Sequence, residues 1–129
     1  MFAKNLILDN QSDKAYQYYL HAKRLYSKLN DKASVADINL DLVVLLNASE
    51  FEDLDYQPFL DEFMAYAKSQ NNPSLLAKAY MQVGKCFINS DPQKTIYYFK
   101  QSLKYGTQTD DALLNAKINH NVGVLFAEH

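Results

Sequence analysis

Apolar residues recur every three or four positions along most of this chain, which is the spacing of one face of an α-helix. No segment alternates apolar and polar residues between turn residues, as a half-buried β-strand does. The pattern therefore predicts an all-α protein built from antiparallel helices that are joined by mostly short turns. The first helix illustrates the spacing with Ala15, Tyr19, Ala22, Tyr26 and Leu29.

Capping residues and prolines divide the pattern into six helices, because a side-chain oxygen at a helix start accepts from unpaired backbone N–H groups. Proline fits in the first helical turn, and Pro58, Pro73 and Pro92 each occupy such a place. The residues expected to open the six helices are Ser12, the pair Asn30-Asp31, Asp55, Asn72, Asp91 and Thr109. The third, fourth and fifth helices are expected to end near Ser69, Asn89 and Gly106.

Two stretches of the chain are similar to each other. AKAYMQVGKCF (77–87) and AKINHNVGVLF (116–126) share five of eleven residues, including the Val-Gly pair and the final phenylalanine. The stretch 36–46 keeps the alanine start and the apolar end, with Val43 in place of the glycine. A period near 40 residues that contains two helices predicts a stacked array. The positions that end the repeated stretches, spaced by 39, 41 and 39 residues, are Ile7, Leu46, Phe87 and Phe126.

The repeated residues resemble the tetratricopeptide repeat (TPR) family. Its first helix carries an aromatic residue, an apolar residue, glycine and a second aromatic residue, and its second helix carries a small, an aromatic and a small residue. The fourth and sixth helices resemble the first pattern, with Tyr80, Val83, Gly84 and Phe87, and with Asn119, Val122, Gly123 and Phe126. The fifth and first helices resemble the second pattern, with Thr95, Phe99 and Ser102, and with Ala15, Tyr19 and Ala22.

The resemblance implies an α-solenoid of about three repeats with incomplete ends, in a single domain over residues 1–129. It also implies that the paired helix approaches most closely at Gly84 and Gly123. The chain lacks the closing proline of each repeat, and its period is longer than 34 residues. A longer period is similar to that of TPR arrays in bacterial regulators and sensor proteins. Because the first and last repeats each lack a helix, we expect either a piece of a longer array or ends that pair in an oligomer.

Composition and charge narrow the classes of protein. The 129 residues are 48% apolar, which is enough for one core, and the net charge of −2 predicts no bulk attraction to nucleic acid or membranes. A single cysteine, Cys86, excludes an internal disulfide and a multi-cysteine zinc site. No run of 18 apolar residues occurs, and the start is too weakly apolar for a secretory signal. A cytoplasmic protein is the resulting expectation.

Residues that carry catalysis or hold cofactors do not form any motif of known mechanism. The chain has no HExxH, GxGxxG, GxxxxGK[ST] or CxxC pattern, and its histidines lack the spacing of a metal site. Cys86 precedes Phe87 in an apolar helix, which is typical of an inert thiol. We therefore expect no enzyme activity, no metal and no cofactor.

The resemblance to TPR arrays implies a concave groove lined by the first helix of each repeat. The residues on that face are Asp37, Leu40, Asp41 and Val44, then Lys78, Met81, Gln82 and Lys85, then Lys117, His120, Asn121 and Val124. This groove would run from acidic to basic, because residues 33–67 carry eight acids and no base, whereas residues 68–129 carry seven bases and four acids. A protein or peptide of the opposite gradient would fit it. The alternative is that these are ordinary solvated residues.

These observations favour a non-enzymatic scaffold that binds a protein or peptide, as the interaction or sensor part of a signalling or transcription regulator. The setting comes from the resemblance alone. The alternative is a structural assembly protein that self-associates through its uncapped helical ends as a homo-oligomer.

Overall fold

The computed structural model describes residues 2–48 and 54–128, with side chains placed from residue 11 onward in these ranges. Within them the chain forms six α-helices and no β-strand, so the prediction of an all-α protein is confirmed. None of the described helices is both long enough and apolar enough to cross a membrane. The helices are α1 (Phe2–Lys28), α2 (Lys32–Ala48), α3 (Gln57–Ser69), α4 (Pro73–Cys86), α5 (Pro92–Gly106) and α6 (Ala112–Glu128).

Local chemistry at the helix starts explains most of these bounds. Four predicted opening residues accept a backbone N–H two or three residues later, at 3.0–3.2 Å. These hydrogen bonds satisfy N–H groups that have no partner within the helix. The four residues are Asp31, Asp55, Asn72 and Asp91.

Two predicted caps are wrong. Ser12 lies inside α1, which begins at Phe2, because no glycine or proline interrupts the preceding residues and serine costs a helix interior only about 0.5 kcal/mol. Thr109 belongs to the turn before α6, where its hydroxyl donates to the carbonyl of Gly106 at 2.9 Å. Asp111 caps α6 instead, since its Oδ1 accepts from the backbone N–H of Leu114 at 3.0 Å.

One predicted helix end needs correction, and another is confirmed for a different reason than a left-handed glycine. Helix α4 ends at Cys86, before the predicted Asn89, because the chain turns where the N–H of Asp91 donates to the carbonyl of Phe87 at 2.8 Å. Helix α5 does end at Gly106, but no glycine in the described ranges has positive φ. A Cβ on Gly106 would lie 2.9 Å from Ile118 Cδ1, so this glycine permits the close approach of α6.

The chain divides into two compact units, residues 1–66 and 67–129, with the boundary inside the last turn of α3. In the first unit, α1 packs along α2. The buried face of α2 supplies much of the apolar interior, and α3 adds Leu60 and Phe63. The buried apolar residues of α2 are Ala36, Leu42, Val43 and Leu46.

In the second unit, α4 packs against α5, α5 packs against α6, and α4 also touches α6. Two buried hydroxyls tie the first pair together, because Thr95 Oγ1 donates to the carbonyl of Gly84 at 2.9 Å and Ser102 Oγ donates to that of Ala77 at 2.7 Å. The order of these contacts makes α4 and α5 antiparallel. The apolar core around Phe99 includes Ala77, Met81, Leu114, Ile118 and Leu125.

The close approach expected at the two repeated glycines occurs at only one of them. A Cβ on Gly84 would lie 2.6 Å from two ring carbons of Phe99, which is closer than real Cβ atoms come. A Cβ on Gly123 would meet no atom within 4 Å. The expectation for Gly123 is therefore wrong within the described chain, because no helix of its own copy covers that side of α6.

Candidate functional site

The predicted groove residues of the second unit lie on two neighbouring helices. Asn121 Nδ2 of α6 donates to Met81 Sδ of α4 at 3.0 Å, which joins the two helices at their contact. Met81 is only 8% exposed and forms the apolar floor beside this contact, whereas Asn121 is half-buried. We call this surface the α4/α6 face, and its members are Lys78, Met81, Gln82, Lys85, Lys117, His120 and Asn121.

The α4/α6 face carries cations that are not neutralised within the described residues. Lys78, Lys85 and Lys117 are exposed, and no carboxylate of the described ranges pairs with them. Gln82 and His120 are exposed beside them. Residues 67–129 hold seven lysines and four acidic residues, so the second unit has a net charge of +3. Unpaired cations around an apolar floor can attract a carboxylate-bearing ligand.

Of the remaining predicted groove residues, Val124 is exposed on α6, and the other four share one face of α2 in the first unit. Asp37, Asp41 and Val44 are exposed, and Leu40 is half-buried. Desolvation and the negative charge of Asp37 raise the pKa of the Asp41 carboxyl. The α2 set is thus acidic, with apolar residues between the carboxylates.

A polar cluster in the first unit was not predicted from the sequence. Glu62 Oε2 of α3 accepts from Lys23 Nζ of α1 at 3.0 Å and from Asn39 Nδ2 of α2 at 2.6 Å. Asn39 is 2% exposed, and its Oδ1 has no hydrogen-bond partner. Lys23 Nζ also lies 5.0 Å from the ring centroid of Phe59. One carboxylate therefore connects three helices.

The cluster borders a cavity of about 310 Å³, large enough for several water molecules. Water is the simplest donor to the unpaired oxygen of Asn39, because a buried amide without a partner costs free energy. The sequence signal was an asparagine within the buried stripe of α2. The cavity is lined by Ser27, Asn30, Asp31, Lys32, Val35, Ala36, Asn39, Glu62 and Tyr66.

Acidification is expected to lower the stability of the first unit, because it protonates the carboxylate of Glu62. Burial raises the pKa of this carboxyl, but hydrogen bonds from Lys23 and Asn39 and the charge of Lys23 outweigh burial and hold it below its ordinary 4.5. Such a group stabilises the fold above its unfolded pKa and loses that contribution as the pH falls through its folded pKa. We expect the urea midpoint of the native chain to fall faster below pH 4.5 than that of a Lys23→Met variant.

The control for this measurement is Lys28→Met, which removes an exposed charge of the same helix that pairs with no carboxylate in the described ranges. Its pH dependence should follow that of the native chain. Because more than half of the Glu62 side chain is exposed, solvent screening keeps the effect small. Parallel pH curves for the native and Lys23→Met chains would contradict the prediction.

The described residues do not combine into a recognisable catalytic or metal centre. No group of three or more His, Cys, Asp or Glu in the described ranges could hold a metal ion. Cys86 is half-buried, and its thiol donates to the carbonyl of Gln82 at 3.3 Å within α4.

Comparisons with known proteins give no further assignment. No family model, curated protein or solved structure matches the chain.

Proposed function

We propose that this chain is a non-enzymatic, TPR-like interaction module whose α4/α6 face binds an acidic segment of a partner protein. The observation that carries the proposal is the contact between Met81 and Asn121, flanked by the unpaired lysines Lys78, Lys85 and Lys117. This arrangement offers an apolar floor, amide groups and positive charge on one surface.

The solenoid part of the proposal is supported by the α4–α5 pair. The small residues Thr95 and Ser102 reach the backbone of α4, and the ring of Phe99 fills the space left by Gly84. These are the residues that form the repeat in the sequence. Helices α4 and α6 carry the same first-helix pattern and touch each other, as first helices of successive repeats would.

Each chemical group on the face has a role in holding an acidic peptide. The lysines attract its carboxylates, the side chains of Gln82 and Asn121 can hydrogen-bond to its backbone, and Met81 contacts an apolar side chain. An exposed ion pair contributes about 0.2–1 kcal/mol. Three such pairs together would change the dissociation constant by roughly threefold to 150-fold. The charge pattern therefore contributes more to the choice of partner than to the strength of binding.

The test is a peptide array with acidic, neutral and basic peptides, probed with the labelled full chain. We expect acidic peptides to bind best, with binding that weakens at high salt. A Lys78→Glu/Lys85→Glu/Lys117→Glu variant is expected to lose at least about fivefold in affinity for the same peptides, because it removes three attractive pairs and adds repulsion.

A matched variant distinguishes the effect of the α4/α6 face on binding from the effect of net charge. Lys68→Glu/Lys100→Glu/Lys104→Glu changes the charge of the second unit by the same amount at exposed positions outside the face. It should retain most of the affinity. Equal losses in both variants, or no preference for acidic peptides, would contradict the proposal. Circular dichroism should give equal helical content for the three chains.

The wider setting follows from the resemblance described above. TPR arrays of similar period occur in bacterial regulators and sensors, so we propose a cytoplasmic role in signalling or transcription control, with the effector function carried by another domain or protein.

A further inference from the structure

The residues of the repeated pattern are covered by α5 where they lie on α4, and they are largely uncovered where they lie on α6. On α4, the repeated residues face α5 and are buried. On α6 the equivalents of Ala77, Tyr80, Gly84 and Phe87 are exposed, and Phe126 is 63% exposed where Phe87 is 1% exposed. Val122, the equivalent of Val83, is instead half-buried against the core. We call the exposed equivalents on α6 the α6 open face. The equivalent pairs are Ala77 and Ala116, Tyr80 and Asn119, Gly84 and Gly123, and Phe87 and Phe126.

The covering of α4 shows what such a face accepts. Tyr98 of α5 stacks on Phe87 and Tyr80 of α4, with ring centroids 6.0 Å and 6.2 Å apart. Tyr105 of α5 stacks on Tyr80 at 5.7 Å. The ring of Phe99 lies against Gly84. A fitting helix therefore needs small residues that allow close approach and aromatic or apolar residues at set intervals between them.

Helix α1 carries a similar set of residues, of which Tyr18 and Leu25 are exposed and Ala15 and Ala22 are half-buried. Its residues 15–25 correspond to 95–105 of α5, with tyrosine at both 18 and 98. Tyr18 is 74% exposed, although its equivalent Tyr98 is half-buried against α4. Leu25 is also exposed, where Tyr105 is half-buried. We call the set made of Ala15, Tyr18, Ala22 and Leu25 the α1 open face.

We propose that the chain assembles head to tail, with the α1 open face of one copy docked on the α6 open face of the next as α5 docks on α4 within a copy. Tyr18 would then stack on Phe126 of the neighbouring copy, and Tyr19 would lie over Gly123. Both exposed aromatic residues would be removed from water.

Charge supports this occupant. The α4–α5 pair is antiparallel, so the same docking brings the C-terminal part of α1 to the N-terminal end of α6. Arg24 and Lys28 are exposed on that part of α1, and Asp110 and Asp111 are exposed at that end of α6. Opposite charges therefore meet in the proposed register, and a parallel docking would lose this match.

The interface joins two different surfaces. A pair of copies therefore still has one free α1 open face and one free α6 open face, to which further copies can bind. The residues of the interface on α6 differ from those of the α4/α6 face, and Lys117 points about 100° away from Ala116 around the helix. The proposal is thus independent of peptide binding by the α4/α6 face, and either can fail without the other.

The test is sedimentation velocity of the full chain over about a hundredfold range of concentration. The mean mass of the native chain should rise with concentration. Gly123→Leu and Tyr18→Glu should each shift this rise to at least about tenfold higher concentration, since one blocks the α6 open face and the other charges the α1 open face. Tyr97→Glu, at an exposed tyrosine of α5, is the matched control and should leave the rise unchanged.

Mixing the two variants identifies the head-to-tail arrangement. Gly123→Leu retains an intact α1 face and Tyr18→Glu an intact α6 face, so equal amounts should form a dimer that does not grow further. A Cβ at Gly123 meets no atom of its own copy, so Gly123→Leu should be at least as heat-stable as the native chain. A native chain that stays monomeric, a Gly123→Leu chain that assembles normally, or a mixture that forms no dimer would overturn the proposal.

Discussion

Replacing Gly84 by alanine is expected to lower the free energy of unfolding by about 1–3 kcal/mol, whereas the same change at Gly123 should raise it by up to about 1 kcal/mol. The added methyl at Gly84 would lie 2.6 Å from the ring of Phe99, which is buried and packed against α6. The ring cannot move away without disturbing that core. At Gly123 the methyl enters open space and removes only the entropic cost of glycine.

The measurement is urea unfolding followed by the helical circular dichroism signal, at a concentration where all chains are monomeric. The two variants gain the same helix propensity, so the difference between them reports only the close approach at Gly84. Shifts of equal sign and size would contradict the packing described for α4 and α5.

Leu125→Asp is expected to unfold the second unit, while Phe126→Asp should leave it folded. Leu125 is 1% exposed within the core that includes Leu114 and Ile118, so aspartate there would place an unpaired carboxylate among apolar side chains. Loss of packing and burial of the charge together cost at least about 4 kcal/mol, a large part of the stability of a small domain. The side chain at the next position is mainly exposed, so a charge there remains hydrated.

Thermal denaturation of both variants provides the check, with the native chain as reference. Phe126→Asp should melt within a few degrees of the native chain. A stable Leu125→Asp chain would contradict the assigned direction of the α6 core face. Because Phe126 belongs to the α6 open face, the same variant should also assemble poorly.

The helices could be predicted because their signals are local. Spacing of apolar residues and a capping side chain act over one or two turns, which is why Asp31, Asn72 and Asp91 were identified correctly. Ser12 and Thr109 failed because several residues in each region could have opened a helix, and the sequence does not rank them. Asp111, which is closer to α6, forms the N-terminal cap of that helix.

Contacts between distant residues could not be predicted in the same way. The hydrogen bond between Asn39 and Glu62 joins residues 23 positions apart, and no spacing rule relates them. The two glycines illustrate the limit further, since Gly84 and Gly123 lie in the same motif but have different surroundings. A motif indicates which kind of helix can pack on a helix face. Only the tertiary structure shows whether such a helix packs there.

The predicted groove residues show both effects. Helical spacing correctly placed Lys78, Lys85 and Lys117 on the surface, because one helix turn determines their direction. Met81 was expected on the same exposed face, yet it is almost covered, because α6 packs beside it. The neighbouring helix therefore narrows the exposed part of the surface.

The stacked tyrosines of the second unit provide an optical signal of their own. The chain has no tryptophan, and the four tyrosines of residues 67–129 are all on α4 and α5, where the rings of Tyr98 and Tyr105 each stack on that of Tyr80. Burial and the nearby tyrosines also raise the pKa of Tyr80. The ultraviolet absorbance change on ionisation, in particular the delayed ionisation of Tyr80 in alkali, reports whether the α4–α5 pair is intact without any added label.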